Sequence, residues 1–532
     1  LYLSSRDEKV DILQTQRLAL QNCLDKKHQG YYHKCSEDWS AVLDSNKHVI
    51  DQFIVGRTYI FGATSSGEYK LVETGERLIN MAIDKFEDKK NLGFYSTASE
   101  DWAIINREKD TYLMALAAGC VLHLYEYTLN EKYLIKMFDI LDLLLTKCQD
   151  EVHGGFFDSF NEDWSIKSEQ KSLRTQVSVV QALGGGYKDG IDSRYAKKAE
   201  FYHQKSNELC NLIIEKMYDK EQGGFFAACN ANWTVKDTDK DSAQIAHAIT
   251  ALTFHYNELG PSLFGPRKGS HAESGRPPPS WYSYRGPAPN PEPISAEAYK
   301  YGKILADVTT LLVEKAWDSE NGGFYERCSK DWKPKDASKS ILTQTSILIA
   351  INMFYRLSGF PEIREKIAHT VSILESKSYD PRHHGFYEMF NREWEPQGRE
   401  KNIHVNIEVP GAVNMIQAIL KRPPITKYKP KVWIKPSNLI IKDGETARYT
   451  VTVQNQAFIS DKLKMGGITA PKTWIFPPEV SFELGPHQTK TFTIEVRPPK
   501  GLAGKAYPFE VAVYSSGDPA TYANVIGTVT VT

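Results

Sequence analysis

The sequence predicts a two-domain protein, an all-α (α/α)6 toroid built from six hairpin-helix-helix repeats followed by an all-β sandwich of immunoglobulin-like type. A phrase of ten residues is written six times. It begins at Gly30, Gly93, Gly155, Gly224, Gly323 and Gly385, and it reaches Trp39, Trp102, Trp164, Trp233, Trp332 and Trp394 nine residues later. Pairs of period-3.6 patterns fill the intervals between copies, and after Pro424 the pattern changes to period two.

In each copy the glycine is followed by two aromatic residues, as in Phe94-Tyr95 and Phe386-Tyr387, then by a polar turn before the tryptophan. That order reads as a short hairpin. A helical pattern over residues 8–28 precedes the first hairpin. The pairs that follow are predicted at 47–63 and 69–86, 113–127 and 133–146, 176–187 and 196–217, 245–259 and 296–316, and 342–357 and 363–376. The unit is about 62 residues long, and one helix pair cannot bury its apolar face alone. The first helix of a pair is the more apolar, as Ala115, Leu116, Ala117, Ala118 and Gly119 show against Lys132, Lys136 and Asp139, so it is expected to line the centre. Six equal units with no polar capping repeat predict closure into a ring.

Gly224 and Gly323 lie further apart than the unit requires, and the surplus is a Pro-rich insertion at 261–293 carrying Trp281, Tyr282 and Tyr284. The toroid is assigned to 1–424 and the sandwich to 425–532. Strands such as Ala447–Val453, Thr491–Val496 and Phe509–Tyr514, punctuated by Gly and Pro, carry the second assignment.

The 65 Lys and Arg balance 66 Asp and Glu to a net charge of −1, so no overall field recruits nucleic acid. No apolar run is long enough to span a bilayer. Seven cysteines are too few for a disulfide framework, and Cys35, Cys229 and Cys328 share one repeat position as small buried hydrophobes. Neither a Cys-x-x-Cys nor a His-rich spacing is present, so no metal or other cofactor is expected.

Five of six inner segments carry an amide five residues after a polar start. They are Gln52, Gln176, Gln244, Gln344 and Asn406, and Met114 breaks the series. Two readings apply to this ring. The amides tie hairpin backbone to helix, or they line the mouth and hydrogen-bond saccharide hydroxyls. Tyr112 and Arg174 join them as binding candidates. The catalytic candidates are His404 and Glu408, one helical turn apart, with His247 and Asp51. Pro410 leaves the helical reading of the His404 segment open. Asp51, Asp241 and Glu408 also offer carboxylates for glycoside hydrolysis. Helix N-termini converging on one face favour an anionic or hydroxyl-rich ligand, an acidic saccharide among them.

The repeated Gly-Gly-Phe-Tyr phrase, its turn, its tryptophan and the inner helix that follows resemble the N-acylglucosamine 2-epimerase and cellobiose 2-epimerase superfamily of (α/α)6 barrels. The resemblance covers residues 8–420. It implies sugar epimerisation or isomerisation by central histidines acting as acid and base, with an assisting arginine. Where the family has a Thr-His-x-His phrase, this chain has Thr175-Gln176-Val177-Ser178. A Gly-His-x-x-Glu phrase meets Ser242-Ala243-Gln244-Ile245-Ala246, and the last family histidine meets Ala412 after Pro410-Gly411. Carbohydrate handling in the central pocket is therefore expected without the usual histidines. If the protein is an enzyme, it is expected to be an epimerase or isomerase relative, or a glycoside hydrolase or lyase.

Residues Gly501–Tyr507 resemble sandwich modules appended to extracellular carbohydrate enzymes, which with the non-Met start implies a place outside the cell or on its surface. The alternative is a non-catalytic structural or assembly protein, contacting protein partners through the 261–293 loop or the sandwich.

Overall fold

The computed structural model describes residues 12–66, 70–185, 193–259, 295–467 and 474–532. The expected Pro-rich insertion lies outside the described residues.

Twelve α-helices among the described residues form two concentric rings. The inner ring is α2 (Val49–Ser66), α4 (Thr111–Thr128), α6 (Leu173–Gly185), α8 (Ser242–Leu259), α10 (Ile341–Ser358) and α12 (Ile403–Leu420). The outer ring is α1 (Ile12–Asn22), α3 (Lys70–Phe86), α5 (Glu131–Leu143), α7 (Ala196–Met217), α9 (Ala296–Lys315) and α11 (Pro361–Ile373). Each inner helix packs on the next, and α12 packs on both α1 and α2, so the ring is closed. α12 runs through Pro410 without interruption, which settles the helical reading of the His404 segment. α5 and α11 end in single π-helical turns, Leu144–Cys148 and Leu374–Ser378.

Each inner helix is entered through a two-residue strand rather than directly. Lys47–His48, for example, pairs with Thr97–Ala98 of the second hairpin, and Lys401–Asn402 pairs with Lys34–Cys35 of the first. The entry strand of one repeat is thus always completed by a neighbouring hairpin. The last repeat finds its neighbour in the first.

Two side-chain devices recur around this layer. Each phrase-ending tryptophan sits in the left-handed region, with φ from 64° to 72°, and turns its indole onto the preceding hairpin. Trp233 Nε1 donates to the His153 carbonyl at 2.9 Å and Trp102 Nε1 to His28 at 2.8 Å, each ring covering the glycine that opens that hairpin. The glycines have φ near +75° in most copies, and a Cβ there would strike the indole.

The second device is a ring of fully buried lysines. Lys47, Lys109, Lys171, Lys240, Lys339 and Lys401 reach Asp25, Asp88, Asp150, Asp219, Asp318 and Asp380 at 2.6–3.0 Å. Each aspartate also accepts two backbone N–H groups of the turn before the hairpin, as Asp150 does from Val152 and His153. The charges are paired and hydrogen-bonded, the condition under which buried ions are tolerated.

The sandwich opposes a sheet of Pro430–Lys435, Ala447–Asn455, Thr489–Val496 and Ile475–Phe476 to a five-stranded sheet that includes Lys505–Ser515 and Tyr522–Val531. Its core holds Tyr449, Val451, Leu463, Met465, Phe509 and Val529. It is docked rather than tethered. His487 Nε2 is 2.7 Å from the buried Tyr256 hydroxyl of α8, and the Phe458 ring packs on Tyr256 and on Phe354 of α10. No described helix is long and apolar enough to cross a membrane.

Candidate functional site

The inner helices point their N-termini at the hairpin face, and residues three, seven and ten beyond the buried lysine form a stripe that keeps partial exposure in each of them, except that Ile54 of α2 is buried. In α12 and α2 this stripe supplies His404, Glu408 and Arg57, with relative exposures of 15%, 29% and 23%. α4 supplies Tyr112, α6 Arg174, Ser178 and Gln181, and α8 His247. These side chains define a water-accessible lumen.

The densest constellation lies where α12 meets α2. His404 Nε2 is 2.7 Å from Glu408 Oε2, and Arg57 donates to Glu408 Oε1 at 2.8 Å. The fully buried Asp51 accepts from His33 Nδ1 at 2.8 Å through Oδ2, while its Oδ1 has no hydrogen-bond partner and faces His404 Nδ1 at 4.0 Å. Asn402 starts the helix by accepting from the N–H groups of His404 and Val405, and its amide lies 3.3 Å from His33 Nε2.

Burial opposes charge on both partners of the His404–Glu408 pair, but the interaction wins. The hydrogen bond and the Glu408 charge hold His404 above the usual histidine range. The hydrogen bond from His404 and the Arg57 charge bring Glu408 down to about 2. Across the lumen the balance reverses. Burial, aided by the Arg174 charge, keeps His247 below the usual range, and burial raises the Tyr112 phenol. Arg174 stacks on the Tyr112 ring with its guanidinium carbon 3.6 Å from the centroid.

Several expectations require correction. Gln52, Gln176, Gln344 and Asn406 are fully buried. Each amide accepts from the N–H and donates to the carbonyl of the first hairpin aromatic, Gln176 doing both with Phe156 at 2.9 and 2.7 Å. Tyr31, Phe324 and Phe386 are held in the same way by the other three. They brace the hairpins and cannot reach a ligand. Gln244 does not belong to their series. The buried lysine of its repeat is Lys240 rather than Asp239, so the equivalent position is Ile245, and Gln244 Oε1 accepts from the Arg174 N–H at 3.0 Å.

Five of the six inner helices do not present a free N-terminus to an anion either. Asp110, Asp241, Asn402, Ser172 and Ser340 cap the N–H groups of Leu113, Gln244, His404, Thr175 and Thr343.

Arg57, His33, His48 and Glu326 are site residues that the sequence reading missed. His33, Asp158, Glu326 and Glu388 share the third position after the hairpin glycine, a repeat register that points to the mouth and was readable. Glu326 accepts from the Ser340 N–H and the Thr343 hydroxyl, yet burial pushes it up to about 7. Among the described residues, three groups of imidazoles and carboxylates have ligand atoms within 4.8 Å of one another: His33, Asp44 and His48; Asp25, His28 and Glu100; Glu37, Asp380 and His383.

Residues 2–179, a third of the chain, match the family model of N-acylglucosamine 2-epimerase. Over that stretch the chain is similar to the N-acylglucosamine 2-epimerase family. The chain is 30% identical over 198 residues to a cellobiose 2-epimerase of Bacteroides fragilis, a match spanning 37% of this chain and 41% of that relative. The barrel superposes on a cellobiose 2-epimerase of Bacillus thermoamylovorans with a TM-score of 0.60 and 14% identity, covering 76% of this chain and 99% of the other. A family 76 α-mannanase of Bacteroides thetaiotaomicron gives 0.54 and 14%, covering 78% and 95%. These superpositions establish the toroid.

Proposed function

We propose that the barrel binds a neutral saccharide in its lumen and epimerises or isomerises it by proton transfer between His247 and His404. The observation that carries this reading is the opposed tuning of two lumen histidines on inner helices two places apart in the ring, one held above and one below the ordinary range. In an open-chain sugar the C2–H bond breaks with its proton passing to neutral His247, and the electron pair moves onto the carbonyl oxygen. Imidazolium His404, held in its charged form by Glu408, then protonates C2 from the other face as the carbonyl re-forms, and proton exchange with water returns both histidines to their starting states. Arg174, stacked on Tyr112, is the cation available to the enediolate oxygen. The family match and the relatives' activities support the saccharide as substrate class.

The test is deuterium incorporation at C2 in heavy water with N-acylglucosamine, mannose and cellobiose. His404→Gln and His247→Gln are each expected to lower turnover by about 10²–10⁴-fold while binding changes little. Binding without any exchange in the native chain would refute catalysis and favour a non-catalytic saccharide-binding barrel. That second reading draws on Gln176, Gln244 and Ala412 at the family's histidine positions.

A further inference from the structure

We infer that His33, Asp44 and His48 form a site for one divalent transition-metal ion at the rim of the mouth. The three residues come from three short segments that the first repeat brings together. His33 follows the first hairpin glycine, Asp44 ends the returning strand Val42–Asp44, and His48 ends the entry strand Lys47–His48. One ligand atom from each lies within 4.8 Å of the others, and the two imidazole centroids are 4.2 Å apart at a tilt of 41°.

The surroundings are those of a supported ligand set. Asp51, fully buried, accepts from His33 Nδ1–H at 2.8 Å, so Nε2 carries the lone pair, and a metal there would take the place of the Asn402 amide now 3.3 Å away. A carboxylate behind a ligating histidine fixes its tautomer and orientation. The Asn46 N–H donates to Asp44 Oδ1 at 3.0 Å, and the His33 N–H is shared between the Asp44 and Asn46 carbonyls at 3.2 Å, so the loop holds both ligands in place.

The other two groups differ in kind. Asp25 and Asp380 already hold the ammonium groups of Lys47 and Lys401, so a cation is built into each. At the rim the nearest lysine, Lys34, is drawn off by Glu388 at 3.4 Å and Glu400 at 3.5 Å. Two imidazoles with one carboxylate suit zinc, cobalt or manganese rather than calcium or magnesium, which take oxygen ligands. All three ligands are half-buried, which leaves coordination positions open to water or to a hydroxyl entering the mouth. This site stands independently of the proposed epimerisation.

The test is titration of the chelator-treated, untagged full chain with cobalt(II) alone, followed by calorimetry and visible absorption. One equivalent per chain is expected. Asp44→Asn and His48→Gln should each weaken it at least about tenfold, while His383→Gln leaves it unchanged. Thermal melts report folding, and if His48→Gln unfolds the chain, the near-isosteric Asp44→Asn decides. The absence of a one-equivalent site, its survival in both variants, or its loss in His383→Gln alone would overturn the assignment.

Discussion

The indole of Trp39 lies over Gly385, 345 residues along the chain from its hydrogen-bond partner His384. Its Nε1 donates to the carbonyls of His383 and His384 at 3.0 and 3.1 Å. A Cβ on Gly385, where φ is +103°, would sit 2.9 Å from the indole and 2.7 Å from Asn406 Oδ1. The same contact joins every other pair of neighbouring hairpins, but here it closes the ring.

Trp39→Ala is expected to destabilise the barrel by about 3–5 kcal/mol, since it removes a buried indole and leaves two carbonyls with a lost donor. Denaturant unfolding checks this. A loss below about 1 kcal/mol would mean that closure rests on the packing of α12 against α1 and α2 and on the Lys401–Asn402 strand pairing rather than on the indole.

Lys171→Met should cost about 3–5 kcal/mol, because it strands the Asp150 carboxylate in a site with almost no water. Asp150→Asn in the same background should recover part of the loss and no more, since the asparagine keeps one acceptor for the Val152 and His153 N–H groups. A double-mutant cycle by thermal unfolding separates the two contributions.

Stability should vary with pH in two windows of opposite sign. Asp25 and Asp380 have folded pKa values of about 2: burial opposes the depression, and turn N–H groups and the buried lysines produce it. Their contribution is present above the unfolded value near 4 and is lost as the pH falls toward 2. Glu326 is raised by burial to about 7, so it costs stability progressively as the pH rises from above 4 to 7. Glu326→Gln should therefore flatten the curve between pH 5 and 8, roughly, and leave the acid limb unchanged. Calorimetric melts across this range provide the measurement.

Gln176→Leu and Arg174→Ala should separate structure from binding. The first leaves the N–H and carbonyl of Phe156 unpaired in the core and should cost about 2–3 kcal/mol, with saccharide affinity of the folded fraction unchanged. The second removes an exposed guanidinium and should weaken saccharide binding with little effect on the melt. Equal effects of the two on affinity would contradict the placement of Gln176 behind the hairpin wall.

The amino-acid order by itself determined the six repeats, the alternation of inner and outer helices and the change to a sandwich after Pro424. Those features are local. Glycine at a positive φ, an apolar stripe of period 3.6 and a period-two strand are each written within one segment. It also placed His404 and Glu408 together, because one helical turn fixes their spacing.

Only the tertiary structure decided which side of each inner helix meets the lumen. Successive helical residues turn by about 100°, so Gln176 faces hairpin backbone while Arg174 and Ser178 face the centre, and the composition of the three gives no hint of that. The pairing of Lys171 with Asp150, the return of Trp39 to Gly385, and the meeting of His33, Asp44 and His48 beside Asp51 all depend on ring closure or on hairpin packing. These contacts join segments whose separation in the chain carries no local signal, and the fold alone brings them within bonding distance.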